Sequence, residues 1–298
     1  MSTGGSGDAA AAFSDLERPP LRAAALRRAL LVPGGLWTDL RIVEETGSTN
    51  ADAIAAAREG APEGLVIVAE RQSAGRGRLG RQWESPPRAG LALSVLLRPD
   101  LPAARLGWLP LLAGVALAEA VRRVARVDAY LKWPNDLLLK AASSESPGRS
   151  RRAEPGVDRK AAGILAEAAG GAVVIGIGLN VTLRENELPR PDATSLALSG
   201  AANTDRDPLL RALLRALAEW YTRFVEHAGD PEASGVREAY VFHCGTVGRR
   251  VRVELPGGGV LQGAAAGVDG DGRLQVTDPF GAVHPVAAGD VVHARLEP

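Results

Sequence analysis

The sequence predicts an α+β fold, a mixed sheet flanked by helices, followed by a small SH3-like β-barrel. Strand-like and helix-like stretches interleave between Trp37 and Val225, the pattern of a sheet with helices packed on it. From about Gly245 it gives way to five short alternating runs separated by GGG, DGDG, DPFG and AGD turns, the mark of a small all-β unit. A length of 298 residues fits one large or two modest domains at roughly 100–200 residues each. The expected division is a tail and short helix over 1–36, a body over 37–244 and the barrel over 245–298.

Residues 1 to about 20 are rich in Gly, Ala, Ser and Pro and read as a disordered tail. Leu21–Leu31 is amphipathic and helical, and Trp37–Glu44 alternates like a strand. A helix is expected over Asn50–Glu59, with Ser48 or Thr49 as N-cap and Thr49 with Asp52 approximating a capping box. Strands are expected at Leu65–Ala69 and Gly90–Leu97, with a Gly/Arg loop at Ala74–Arg81 between them. Leu106–Val124 repeats its apolar residues at helical spacing. Leu131–Leu139 reads as one strand broken by Pro134, and Ala141–Arg159 as a polar insert forming a mobile surface loop. Gly170-Gly171 joins strands Ala162–Ala168 and Ala172–Leu179 as a hairpin. A long helix at Pro208–Val225 takes Asp207 as its expected N-cap and Pro208 at its first position. The five later strands are expected at Arg250–Leu255, Val260–Val268, Arg273–Thr277, Val283–Ala287 and Val291–Leu296.

Composition narrows the function. A hydrophobic fraction of 46% with 23% charged residues is that of a soluble globular chain. Thirty-five basic against 35 acidic residues leave no net charge, which argues against a general nucleic-acid or anionic-membrane binder. A single cysteine, Cys244, excludes an internal disulfide and a multi-cysteine metal site, and is expected to be a buried thiol. The N-terminus lacks the basic start and apolar stretch of a signal peptide. The apolar run Leu106–Ala118 contains Pro110 and falls short of the roughly 20 residues that span a bilayer. A cytoplasmic location without membrane partners is therefore expected. Only three lysines stand against 32 arginines: Lys132, Lys140 and Lys160. A chain that uses Arg wherever a generic cation serves retains Lys where a compact ammonium is needed.

The densest constellation is Glu70–Trp83. Gly75-x-Gly77-x-x-Gly80 has the form of a dinucleotide fingerprint, but Pro86 and Pro87 leave no room for the helix that must follow it. What the segment supplies is Arg76, Arg78 and Arg81 on a glycine-flexible loop, suited to carboxylate or phosphate oxygens. Trp83 adds a planar apolar surface for a purine or an aliphatic chain. A solvated basic loop is the plainer alternative. Lys132-Trp-Pro-Asn-Asp136 places Asn135 and Asp136 where strand pairing stops, either a ligand-binding edge or an ordinary turn. Lys160 opens a buried strand in which Gly163 permits close approach, and Asn180 ends an apolar run at a sheet edge. Ser48-Thr49-Asn50 sets hydroxyls and an amide at a helix N-terminus, suited to an anion or a urea-like group. No Walker A, HExxH, GxSxG or paired-histidine pattern occurs, and none of the four histidines falls in these motifs. Electrostatic stabilisation by Arg and Lys, rather than a His-based triad, is the expected chemistry.

In order along the chain, STN, QxAGRGRxGRxW, KWPND, KxxGILxE and IGxGxN, followed by a small β-rich unit, resemble the biotin protein ligases from about Thr46 to the C-terminus. The resemblance implies a two-step reaction: biotin and Mg²⁺-ATP give biotinyl-5′-AMP, and a specific lysine of a biotin carboxyl carrier protein, part of a biotin-dependent acyl-CoA carboxylase, then takes the biotinyl group. ATP with Mg²⁺ and biotin are substrates, and no redox cofactor is expected. By the same resemblance Ser48, Thr49 and Asn50 line the biotin pocket and Gln72 contacts biotin's head group or carboxylate. Gly75, Arg76, Gly77 and Arg78 form a loop over biotin and phosphate, Arg81 adds to the adenylate contacts, and Trp83 closes on the adenylate. Lys132 and Lys160 neutralise charge at the carboxylate and α-phosphate, Asn135 and Asn180 serve the nucleotide, and Gly163 admits the biotin chain. Asp136 is the candidate for Mg²⁺ or for deprotonating the incoming lysine. About 40 residues precede the core, too few for the winged helix-turn-helix of members that double as repressors, so DNA binding is not expected. Two rivals remain open: a lipoate or octanoate ligase with the same acyl-to-lysine logic, and a non-catalytic nucleic-acid module.

Overall fold

The computed structural model describes residues 18–140, 158–255, 258–287 and 290–293. The expected tail before residue 18 and most of the expected insert at 141–159 lie outside the described residues. The body comprises α1 (Ala23–Leu30), β1 (Asp39–Thr46), α2 (Thr49–Arg58), β2 (Leu65–Gln72), β3 (Gly90–Leu97), α3 (Leu109–Ala125), β4 (Ala129–Lys132), β5 (Asp136–Leu139), β6 (Arg159–Ala169), β7 (Ala172–Asn180), α4 (Arg206–Glu226) and α5 (Val236–His243). Five further strands follow: β8 (Arg250–Glu254), β9 (Val260–Val268), β10 (Leu274–Thr277), β11 (Val283–Val286) and β12 (Asp290–His293).

Seven strands form one sheet in the order β1-β2-β3-β7-β6-β5-β4, with β1 and β2 parallel and every other pair antiparallel. It is therefore the mixed sheet that the sequence predicts. The remaining strands pair antiparallel in the order β11-β10-β9-β8-β12.

The two faces of the large sheet are covered unequally. Leu91, Leu93, Val95 and Leu97 alternate along β3, and Ile175, Ile177 and Leu179 along β7. They pack with Leu112, Val115 and Leu117 of α3 and Leu210, Leu213 and Leu217 of α4 in the main core. The opposite face carries a smaller cluster, in which Ala53, Ala56 and Ala57 of α2 lie on Leu65, Ile67, Leu96 and Val174. An alanine-rich helix approaches the sheet closely but is short, so it leaves part of that face uncovered. The cavity that holds the candidate site lies there.

Several local expectations change. Leu131–Leu139 is a hairpin, not one broken strand: Lys132 pairs with Asp136 across the Trp133-Pro134-Asn135 turn, so Pro134 reverses the chain. Ser48 is the N-cap of α2, as expected, but its side chain makes no capping bond; the Thr49 N–H donates instead to Gln72 Oε1 at 2.8 Å, and Asp52 accepts from Thr46 Oγ1 rather than closing a capping box. Helix α4 begins at Arg206 with Asp205 as N-cap, because the Asp207 carboxylate is taken by Arg22. Helix α5 is not among the expected elements; it is short, and it forms where Tyr240 packs edge-on against Trp108 at 6.3 Å between ring centroids. Cys244, at its end, is buried as expected. The turn at Asp269–Gly272 docks on the body: Arg105 and Trp108 donate to Gly270 O, and Trp133 Nε1 donates to Gly272 O.

Candidate active site

A cavity of about 380 Å³ opens on the uncovered face. Its floor follows from strand alternation. Ser94, Gly176 and Leu165 are in register across β3, β7 and β6; two residues along, Ala92, Gly178, Gly163 and Asp136 form the next row. Ile175 and Ile177 turn to the main core while Gly176 and Gly178 face the cavity. The glycines keep the floor bare. A Cβ at Gly176 would stand 2.1 Å from Asn50 Oδ1, and one at Gly178 would stand 2.4 Å from Trp83 Cε2.

The inner end is a connected polar chain. Gln72 Oε1 accepts from the Thr49 N–H at 2.8 Å and lies 3.0 Å from Thr49 Oγ1. Ser94 Oγ lies 2.8 Å from Thr49 Oγ1 and donates to Asn50 Oδ1 at 2.6 Å, while Asn50 Nδ2 donates to Glu167 Oε2 at 2.7 Å. Ser48, Thr49, Asn50 and Ser94 are buried. A polar cluster so fully paired holds its donors and acceptors at fixed angles.

The roof is the loop after β2. Arg76 and Gln82 pair across it, Gly77 N–H donates to Arg81 O at 2.7 Å, and Trp83 N–H donates to Gly75 O at 2.9 Å, so the loop is itself a small hairpin. Its tip is a short 3₁₀ turn, Arg78–Gly80, with Leu79 and Gly80 at positive φ. Gly75 must be glycine for a steric reason: a Cβ there would lie 2.3 Å from Trp83 O. Arg78 Nη1 donates to Asn135 Oδ1 at 3.1 Å, and Asn135 Nδ2 donates to Ile164 O, tying the roof to the β4–β5 turn and the floor. The indole of Trp83 lies across Gly163 and Gly178.

At the outer end Lys160 Nζ is 2.6 Å from Asp136 Oδ1 and 5.9 Å from the centroid of the Trp83 ring. The Lys160 main chain is pinned by Asp192 O and Thr194 N. Asn180 donates through Nδ2 to Thr194 O, and its buried Oδ1 has no hydrogen-bond partner among the described residues. Behind the site, burial pushes the Tyr240 hydroxyl far above its ordinary pKa, with Cys244 and then Asp136 adding in the same direction.

Fourteen of the sixteen residues singled out in the sequence line this cavity: Ser48, Thr49, Asn50, Gln72, Arg76, Gly77, Arg78, Arg81, Trp83, Asn135, Asp136, Lys160, Gly163 and Asn180. Gly75 lies on the outer side of the loop, in a groove shared with Trp133 and Gly272. Lys132 does not line the cavity, because β4 is the sheet's edge strand, one strand beyond Asp136. The lining also includes Ser94's neighbour Leu93 and, beyond the sequence-based set, Gly176, Gly178, Arg190 and Asp192. The hydroxyl inside the apolar run Leu91–Leu97 and the alternating glycines of Ile175–Gly178 are signals that could have found the floor; nothing local marks Arg190 and Asp192.

Gly178→Ala is expected either to displace the Trp83 indole or to destabilise the protein by about 1–3 kcal/mol through overpacking. Near-UV circular dichroism and urea unfolding report the two outcomes; no change in either would contradict the packing described.

Residues 46–182 match the biotin/lipoate A/B protein ligase family, and residues 246–294 match the biotin protein ligase C terminal domain. The chain is 42% identical over 290 residues to the biotin–[acetyl-CoA-carboxylase] ligase of Mycobacterium tuberculosis, covering 94% of this chain and 98% of that protein. It is 32% identical over 230 residues to the bifunctional ligase/repressor BirA of Bacillus subtilis, covering 76% of this chain and 66% of the other. Among solved structures, biotin protein ligase from Aquifex aeolicus in complex with biotin and ATP superposes with a TM-score of 0.67 and 26% identity, over 87% of this chain and all of that one.

Proposed function

The chain belongs to the biotin protein ligase family, and from that premise we propose that its cavity activates biotin with ATP and biotinylates a lysine of a carrier protein. The enzyme is an ATP-dependent biotin–[biotin carboxyl-carrier protein] ligase. One observation supports the site reading above the others: Lys160, Arg76 and Arg78 converge on a glycine-floored cavity whose closed end is the polar chain Gln72–Thr49–Ser94–Asn50.

In this reading the ureido head of biotin takes the inner end, where both donors and acceptors are in place. Its valeryl chain runs over Gly176, Gly178 and Gly163, and its carboxylate reaches Lys160. A carboxylate oxygen attacks the α-phosphorus of ATP; a P–O bond breaks, pyrophosphate leaves, and a C–O–P anhydride forms. Lys160, Arg76 and Arg78 stabilise the charge of that transition state. The carrier's lysine nitrogen then attacks the acyl carbon and AMP leaves. Asp136 is the proposed acceptor of the proton that the lysine nitrogen loses. No cysteine or histidine lines the cavity among the described residues, consistent with direct transfer from a mixed anhydride. Positioning and charge neutralisation are then the protein's main contribution.

Asn180, with its unpartnered Oδ1, and Asn135 are assigned to the nucleotide. Mg²⁺ belongs to this proposal as part of the ATP complex. No cluster of three candidate ligands occurs among the described residues, and Asp136 is engaged by Lys160. Such residues suit an ion held largely by phosphates and water. A cytoplasmic location and a carboxylase carrier as partner, without DNA or membrane, complete the proposal.

The test is pyrophosphate exchange with biotin or lipoate as the acid. Exchange that needs biotin supports the assignment; exchange with lipoate alone defeats it. Arg78→Ala removes the tie to Asn135 and one phosphate-facing guanidinium. It is expected to speed loss of biotinyl-5′-AMP into solution by roughly tenfold or more, the effect of one charge-assisted hydrogen bond, with little change in melting temperature. Retention equal to that of the unsubstituted enzyme would remove the loop's role.

A further inference from the structure

The reaction as proposed gives no task to Glu167, which lines the groove on the outer side of the arginine loop, next to the cavity. Glu167 lies on the cavity side of β6, four residues beyond Gly163. A carboxylate beside a site for anions opposes their binding through like-charge repulsion, so its presence needs a compensating use. Its Oε2 accepts from Asn50 Nδ2 at 2.7 Å and lies 3.4 Å from Arg76 Nη2. Asn50 is buried in the inner wall, and Arg76 stands on the roof.

We propose that Glu167 is a positioning residue that couples the biotin end of the cavity to the arginine loop. The assignment rests on the biotin-ligase reading above. A carboxylate only accepts hydrogen bonds, so Glu167 forces the Asn50 amide to present Nδ2 outward and leaves Oδ1 for the Ser94 hydroxyl. The same oxygen attracts the Arg76 guanidinium and holds it over the cavity. Arg76 is about half exposed, at 48%, and Glu167 is 26% exposed. Solvent screens such a pair, so the link to the loop is modest while the link to Asn50 is firm.

The two links separate by substitution. Glu167→Gln keeps an acceptor for Asn50 but removes the charge facing Arg76. It is expected to raise the release rate of biotinyl-5′-AMP by roughly two- to fivefold, with the KM for biotin within about twofold of its original value. Glu167→Ala removes both links and is expected to raise the KM for biotin about tenfold as well. Arg76→Gln should speed adenylate release, and adding Glu167→Gln to it should produce no further increase, the signature of two residues acting through one contact.

Release rates measured after rapid dilution, with KM values from pyrophosphate exchange, decide the matter. Adenylate release unchanged in Glu167→Gln, or independent effects of the two substitutions, overturns the coupling. A merely structural role predicts instead that Glu167→Gln and Glu167→Ala lower stability without separating KM from release. If the unsubstituted enzyme shows no biotin-dependent exchange, the functional reading itself fails and this inference with it; exchange present with release unaffected sinks the coupling alone.

Discussion

Replacing Lys160 by alanine is expected to slow biotin-dependent pyrophosphate exchange by about a hundredfold or more, the typical effect of deleting one donor to a developing anion. The placement of this ammonium is unusually well determined. Its main chain is clamped by Asp192 O and Thr194 N, and its Nζ rests 2.6 Å from Asp136 Oδ1 beside the Trp83 ring. Strand alternation alone would set Lys160 and Gly163 on opposite faces, since they are three residues apart. The register of β6 on β5 shifts between Leu137 and Leu138, so Ala161 is an extra residue and Lys160 turns to the cavity side. A bulge that re-aims a side chain beside an active site is a recurrent device. Both partners of the ion pair are partly exposed, at 26% and 19%, so the cost in stability is expected to stay near ~1 kcal/mol after solvent screening. Single-turnover formation of biotinyl-5′-AMP together with a thermal melt separates the two effects. An unaltered adenylation rate in Lys160→Ala would leave the ammonium without a catalytic part.

The second large effect concerns stability. Arg206 Nη1 donates to Glu70 Oε2 at 2.5 Å with both side chains buried, and Arg206 also donates to Gly90 O and Pro19 O. The other Glu70 oxygen accepts from the Leu21 N–H at 2.7 Å. One ion pair thus joins the segment before α1, the end of β2, the start of β3 and the start of α4. Removing one partner leaves the other charge buried without its counter-ion, so Arg206→Ala or Glu70→Ala is expected to cost about 3–5 kcal/mol. For a protein of this size that corresponds to a melting temperature lower by on the order of 10 °C. The double substitution should cost clearly less than the sum of the two singles, because it leaves no orphaned charge. Additive losses in urea unfolding would mean that the pair contributes little as a pair. Glu70 lies two residues before Gln72, so ligand affinity is also expected to fall in the single variants.

Much of the architecture is legible in the sequence because its signals are local. Gly90–Leu97 matches β3 at both ends. The Gly170-Gly171 pair, with both residues at positive φ, makes the β6–β7 hairpin that the dipeptide predicts. The motif residues from Ser48 to Asn180 are recognisable as a group because scarce lysines, glycine-spaced arginines and isolated amides stand out against an apolar background. Local rules find the N-cap position of α2, Ser48, but misplace that of α4. At both helix starts a partner from elsewhere in the chain intervenes: Gln72 takes the Thr49 N–H, and Arg22 takes the Asp207 carboxylate that local rules assign to the cap. The buried pair Glu70–Arg206 spans 136 positions and has no local signature at all.

Which residue types are available to meet a carboxylate, a phosphate or a urea-like ring was determined by the sequence alone, since that is a matter of side-chain chemistry and the chain carries its cations and amides in a few recognisable clusters. Which of them share a surface was decided only by the tertiary structure. A two-residue period fixes faces along an uninterrupted strand, and it fails wherever a hairpin or a bulge intervenes. The Pro134 turn sends Lys132 to the sheet edge, and the extra residue at Ala161 brings Lys160 onto the glycine floor beside Asp136. Both outcomes depend on pairing between strands, which is a property of the folded sheet and of no single segment.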